Sequence, residues 1–148
     1  VPLLAGGAAD RFGLTDAELA LACASHGGQP AHVAAAAAML AKAGCDETCL
    51  ECGAHAPSHA ASARALVAAA ARPRALHNNC SGKHAGFICS AVAAGVAPAG
   101  YVTPDHPTME AVTQAVAEAA GVALTAADRA VDGCSIPTFR MPLRAVAA

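Results

Sequence analysis

Aromatic side chains are nearly absent from this chain of 148 residues, which has three Phe, one Tyr and no Trp. A stacking platform for nucleobases therefore has no material. Lys and Arg total only 9 against 11 Asp and Glu, so no basic stripe can form and no nucleic-acid partner is expected. Long apolar runs are lacking as well. The alanine run at 33–38 is followed by Lys42 and is too short to span a bilayer, so no membrane partner is expected. Val1 to Leu4 is apolar, but no basic leader precedes it and Gly6-Gly7 breaks it. With no initiator methionine, the chain is expected to start inside a longer reading frame.

What is present is mostly alanine. Hydrophobic residues make up 55% of the chain, yet alanine buries little area per residue. Alanine gives helix propensity and close helix packing with a thin core, as in part of a larger body or a chain that packs on a partner. The seven cysteines are an odd number in a helical chain, which reads as reduced thiols of a cytoplasmic protein, some of them candidate metal ligands.

Local signals divide the chain into helices. Thr15 and Glu18 form a capping box for a helix running to about Ala24. Pro30 suits the first turn of a second helix, ended by Gly44, and one or two further turns are expected between Asp46 and Cys52. Ser58 is the expected cap of an alanine-rich helix reaching Arg72-Pro73. A helix from Ser81 to Ala94 is closed by Gly95. After the turn at 103–107, Val112, Val116 and Ala119 mark one face of a helix from Thr108 to Ala120. Strand character is confined to Asp132 to Met141.

Reactive side chains concentrate in two motifs, HNNCSGKHAGF (77–87) and VDGCSIPTF (131–139). A helix starting near Cys80 puts Cys80 and Lys83 on one face, and its positive end favours the Cys80 thiolate. Cys80 is then a zinc ligand or a nucleophile, and Lys83 can ligate only as the free amine. A buried thiol beside a solvated lysine is the plain alternative. Gly82-Lys83 is no phosphate loop: His77 stands where the upstream glycine belongs, and His84 replaces the magnesium-holding hydroxyl. Ser25, in ASHGGQPAH (24–32), sits at a helix-to-loop break with His26 beside it, either an exposed catalytic hydroxyl or a turn serine. Cys45, Cys49 and Cys52 have a spacing that resembles the cluster triad of radical SAM enzymes, and His55 and His59 extend it toward a zinc pattern. Position 50 is Leu where that family has an aromatic, and repeated strand-helix units are missing.

Five segments in order, GAADRFGLTDAELALACASHGG (7–28), LECGAHAP (50–57), ALHNNCSGKHAGF (75–87), YVTPDHP (101–107) and VDGCSIPTFRMPLRA (131–145), resemble the rhizobial-type, or class 3, L-asparaginases of the asparaginase II family. The resemblance covers nearly the whole chain. It implies an α+β fold similar to serine β-lactamases and penicillin-binding proteins, of which this chain is the mostly helical part. It implies hydrolysis of the L-asparagine side-chain amide to L-aspartate and ammonia. By resemblance Cys80, Lys83 and Cys134 match zinc ligands, Ser25 and Lys83 belong to the catalytic set, and Asp132, His84 and Asn79 surround metal or substrate. A homodimer is implied for the full-length enzyme. The family's first Ser-x-x-Lys pair and its C-terminal half, which supplies the lysine paired with Ser25, fall outside the matched region. Residues 1–148 are thus expected to be a single partial domain. An inactive truncated product, and a zinc or iron-sulfur module at Cys45, Cys49 and Cys52, stand as alternatives.

Overall fold

The capping box at Thr15 forms as its sequence predicts. Thr15 Oγ1 accepts the Glu18 N–H, and the Glu18 carboxylate accepts the Thr15 N–H, starting helix α3 (Asp16–Ala22). Glu18 is also buried and paired with Lys42 Nζ at 2.6 Å, which ties α3 to the end of α4 (Pro30–Lys42). The computed structural model describes residues 2–147. Two short helices, α1 (Pro2–Ala5) and α2 (Ala8–Arg11), precede α3. α5 (Ala60–Ala68), α6 (Ser81–Ala93) and α7 (Pro107–Ala120) follow α4, and a hairpin of β1 (Arg129–Val131) and β2 (Pro137–Phe139) precedes α8 (Leu143–Val146). The result is an α+β chain dominated by helix. No helix among the described residues is long and apolar enough to cross a membrane.

α6 is the central helix, packed on α3 and α4 with α1, α2 and α7 around it. Its small residues allow close approach. Gly82 lies against Leu21 of α3, and Gly86 lies against Ala22. Met39, Leu40, Ile88, Cys89, Tyr101 and Met109 fill the interior between these alanine-rich faces. The thin core expected from composition is a short list of large side chains held by helices that pack tightly.

Several sequence expectations need correction. The helix after the HAPSH segment is capped by His59, whose Nδ1 accepts the Ser62 N–H, and it ends at Ala68 well before Arg72. Ala70 has a positive φ of 49°, which breaks the helix there. Between Asp46 and Cys52, by contrast, the expectation of one or two turns holds: one 3-10 turn forms (Glu47–Cys49) and ends at the extended Leu50. On α7 Val112 packs against the core as its spacing implies, but the buried residues are Thr108, Met109 and Thr113 and Ala119 is exposed, so the inward face lies nearer the N-terminus than the full pattern implies. Strand pairing also begins earlier than expected. Arg129, Ala130 and Val131 pair antiparallel with Phe139, Thr138 and Pro137, and residues 132–136 are the connection rather than strand.

The Glu18–Lys42 pair carries a stability prediction. Burial alone would raise the Glu18 pKa, but the Lys42 ammonium and the Thr15 donors outweigh it and hold the carboxyl below its usual range. A carboxyl lowered on folding stabilises the fold fully above its unfolded pKa, and that contribution is lost as pH falls through the folded value. Lys42→Met is expected to destabilise by about 2 kcal/mol at neutral pH, discounted from a fully buried pair because Lys42 is partly exposed. Thermal melts should show a Tm lower by about 4–8 °C. The gap to wild type should narrow in acid, and an equal gap at both pH values would deny the pair its role.

Candidate active site

The loop at 77–80 joins two groups of functional side chains. Asn78 fixes it. Its Nδ2 donates to the carbonyls of Cys52 at 2.8 Å and Gly53 at 3.1 Å, while its Oδ1 accepts the Cys80 N–H at 2.8 Å. The loop is therefore riveted to the 52–56 segment before α6 begins at Ser81.

On one side Asn79 meets Ser25. Its Nδ2 donates to Ser25 Oγ at 2.7 Å, and its carbonyl accepts the His26 N–H at 3.0 Å. Ser25 is exposed, as a reacting hydroxyl must be. His26 locks the serine loop from within. Ser81 Oγ donates to the Leu76 carbonyl at 3.0 Å, so His26 Nε2 donates to Ser81 Oγ at 2.9 Å. His26 Nδ1 then accepts the Gly28 N–H at 3.2 Å, which makes the ring the neutral Nε2–H tautomer. Burial, with His32 and His55 nearby, pushes its pKa down to about 4, consistent with that neutral ring. Gly28 is required here. Its φ is +69°, and a Cβ would lie 2.9 Å from the His77 carbonyl.

On the other side, Lys83 of α6 faces the hairpin connection. Lys83 Nζ donates to Cys134 Sγ at 3.6 Å and lies 4.0 Å from Asp132, and the Cys134 thiol donates to that carboxylate at 3.3 Å. Cys134 is buried while Asp132 is half exposed. Burial and the Asp132 carboxylate push the Cys134 thiol up to about 11, against the pull of Lys83. The Cys134 hydrogen bond, the Gly133 N–H and Lys83 hold Asp132 below its ordinary value.

A tetrahedral ion bound by one nitrogen and one sulfur holds those donors about 3.6 Å apart, so the Lys83–Cys134 separation suits zinc. Cys80, the residue that caps α6, adds a thiol three positions before Lys83 and near Cys134. Even so, among the described residues no three His, Cys, Asp or Glu side chains gather as a metal site, and that includes Cys80, Asp132 and Cys134. The donor types and the one measured edge fit the ion.

The residues read from sequence separate as follows. Asn79 reaches Ser25, and Lys83, Cys134 and Asp132 come together. Lys83 bonds Cys134 and not Ser25, among the described residues. His84 is fully buried and shares a hydrogen bond with the Tyr101 hydroxyl, and its Nε2 has no partner among the described residues. Burial, with Lys83 nearby, pushes the His84 pKa down to about 4. The Cys45, Cys49 and Cys52 set does not converge. Cys45 neighbours Cys49, while Cys52 is buried against the Ala75 carbonyl with Cys134 and Cys80 nearby. His59 caps α5, and His55 turns to Asn79. Sequence reasoning missed the His26–Ser81 lock and the Tyr101–His84 contact. Both join residues far apart in the chain, and the only cue was Ser-His beside a glycine pair.

An exposed hydroxyl held by an amide on one side of the loop, and an amine, a thiol and a carboxylate gathered on the other, are groups that hydrolases use. The family model for L-asparaginase II matches residues 1–148, and the chain belongs to that family, which makes it a member of an amidohydrolase lineage acting on asparagine. No curated protein matches the chain.

Proposed function

We propose that the chain hydrolyses the side-chain amide of L-asparagine to L-aspartate and ammonia, with Ser25 as nucleophile and a zinc ion held by Cys80, Lys83 and Cys134. One observation supports this above the others. The loop that fixes Ser25 through Asn79 runs through Cys80 directly into the helix that carries Lys83. Because Asn79 Nδ2 donates to Ser25 Oγ, the serine hydroxyl proton is left free to depart as the oxygen bonds the amide carbon. Breaking the C–N bond releases ammonia, which carries that proton, and water then cleaves the ester to restore the serine. Zinc, when bound, supplies Lewis acidity to orient or polarise the substrate. Its lysine ligand would be the neutral amine, and its thiols would release their protons on binding. Asp132, with its lowered pKa, stays charged beside Lys83 and Cys134.

On this reading the helical layer is part of a serine β-lactamase-like fold, and the working enzyme is a homodimer of a cytoplasmic protein. The expected result of elemental analysis is about one zinc per chain, as for a site of three protein ligands. That zinc should be lost in Cys80→Ser and Cys134→Ser and kept in Cys49→Ser, with ammonia release from L-asparagine following the metal. Zinc that survives Cys80→Ser, or leaves only with Cys49→Ser, overturns the assignment.

A further inference from the structure

His55 is an exposed imidazole that the proposed reaction does not use, yet both of its nitrogens face oxygen. Nδ1 is 2.8 Å from the Ala56 carbonyl, and Nε2 is 2.9 Å from Asn79 Oδ1. The same Nε2 is 3.1 Å from the Asn79 backbone nitrogen. The other end of the Asn79 amide is the group that holds Ser25 at 2.7 Å. Three residues from three separate segments thus form one chain, His55 to Asn79 to Ser25. The segment carrying His55 is held in place, since Asn78 grips the carbonyls of Cys52 and Gly53.

Donor and acceptor roles along this chain cannot be assigned one at a time. A carbonyl oxygen only accepts, so an imidazole nitrogen facing one must carry hydrogen. With Asn79 Nδ2 on Ser25, Asn79 Oδ1 faces His55 Nε2, which therefore donates, and Nδ1 donates to Ala56, so the ring carries hydrogen on both nitrogens and offers no lone pair to the Asn79 backbone N–H. Ser25 Oγ is then an acceptor, and its own proton is uncommitted. The two ends of an amide are alike in shape, so a second arrangement also closes, this one with a neutral ring that keeps hydrogen on Nδ1 alone. In it His55 Nε2 has a bare lone pair and accepts the Asn79 backbone N–H. The side-chain amide turns over, and its Oδ1 faces Ser25. The Ser25 hydroxyl must now donate to that oxygen, which holds its proton away from a base. What His55 Nε2 presents to Asn79 decides which arrangement forms.

We propose that His55 is a positioning residue for Ser25, acting through the side-chain amide of Asn79 to keep Ser25 Oγ an acceptor with its proton free. The proposal rests on the reading of Ser25 as nucleophile, but the hydrogen-bond chain has a signature of its own. In proton–nitrogen NMR spectra of the full chain, the Asn79 side-chain amide should give two well-separated, slowly exchanging proton signals. His55→Leu should collapse them onto the two fast-exchanging positions of a solvent-exposed amide, and Ser25→Ala should move one of them. His55→Gln, which keeps an N–H for Asn79 Oδ1, should restore the wild-type pattern. In turnover of L-asparagine, His55→Leu should lower kcat about tenfold with KM within about twofold, the size of a small misplacement of a reacting group. His55→Gln should stay within about threefold of wild type.

Asn79 signals in His55→Leu that match wild type overturn the proposal, whatever the activity. Signals that collapse equally in His55→Leu and His55→Gln overturn it as well. If Ser25→Ala turns over substrate at the wild-type rate, the nucleophile reading falls instead, and the Asn79 signals still decide the hydrogen-bond chain.

Discussion

Ser25→Ala should reduce asparagine turnover by roughly a thousandfold or more, the scale seen when a nucleophile is removed and only binding and electrostatic contributions remain. Stability should hardly change. Ser25 is exposed, and water can replace it as the acceptor for Asn79 Nδ2, so the melting curve should overlie that of wild type within about 0.5 kcal/mol. An inactive enzyme with an intact fold separates loss of chemistry from loss of structure. Ser81 provides the contrast, since it lies in the most reactive-looking motif of the chain. It is fully buried, it donates to Leu76, and it accepts from His26, so its oxygen has no path to a substrate. Ser81→Ala should leave a buried His26 Nε2–H unpaired and cost about 1–3 kcal/mol. A full turnover rate in Ser25→Ala would exclude Ser25 as nucleophile.

Helix boundaries set by local chemistry were legible in the sequence. Thr15 with Glu18, Pro30 at the start of α4, and Gly44 and Gly95 at positive φ after helices each act within a turn of the chain. Boundaries set by tertiary contact were not. Nothing near Arg129 marks it as strand, because β1 exists only through its pairing with β2. The inward face of α7 follows Met109 and Thr113 because those residues meet the core, whereas a valine count weighs apolar character alone.

The site divides in the same way. Cys80 caps α6 and Lys83 lies in its first turn, so their closeness in the chain was legible from sequence. Cys134 reaches Lys83 from the hairpin connection, and only the family resemblance pointed to that pairing. The cysteine triad shows the converse error. Spacing alone placed Cys45, Cys49 and Cys52 together, but extended backbone after Leu50 carries Cys52 toward Cys134 and Cys80. The bond from Asn79 to Ser25 spans 54 positions, and no local pattern encodes it.

That bond depends in turn on how closely α3 approaches α6, and Gly82 sets the approach. A Cβ at Gly82 would lie 2.5 Å from Leu21 Cγ and 2.8 Å from the Leu21 carbonyl oxygen. The leucine side chain can rotate away, but the backbone oxygen cannot, so α3 itself must move. Alanine in place of a helical glycine normally gains about 1 kcal/mol in helix propensity. Overpacking against rigid backbone costs about 1–3 kcal/mol, and two sub-contact distances at one atom put this position at the upper end. Gly82→Ala should therefore destabilise by about 2 kcal/mol net, with Tm lower by about 4–8 °C. Gly82→Val adds two methyls to the same gap and should be worse. Gly86, one turn on, is the internal control. Its nearest neighbour would be Ala22 Cβ at 3.2 Å, with no backbone atom in range. The propensity gain should offset that contact, and Gly86→Ala should melt near wild type. Because α3 leads directly into the Ser25 loop, Gly82→Ala should also lengthen the Asn79–Ser25 bond and lower kcat below what the unfolded fraction explains. Equal melting temperatures for Gly82→Ala and Gly86→Ala would show that α3 and α6 are not in this contact, and the mutual placement of Ser25 and Asn79 would lose its support.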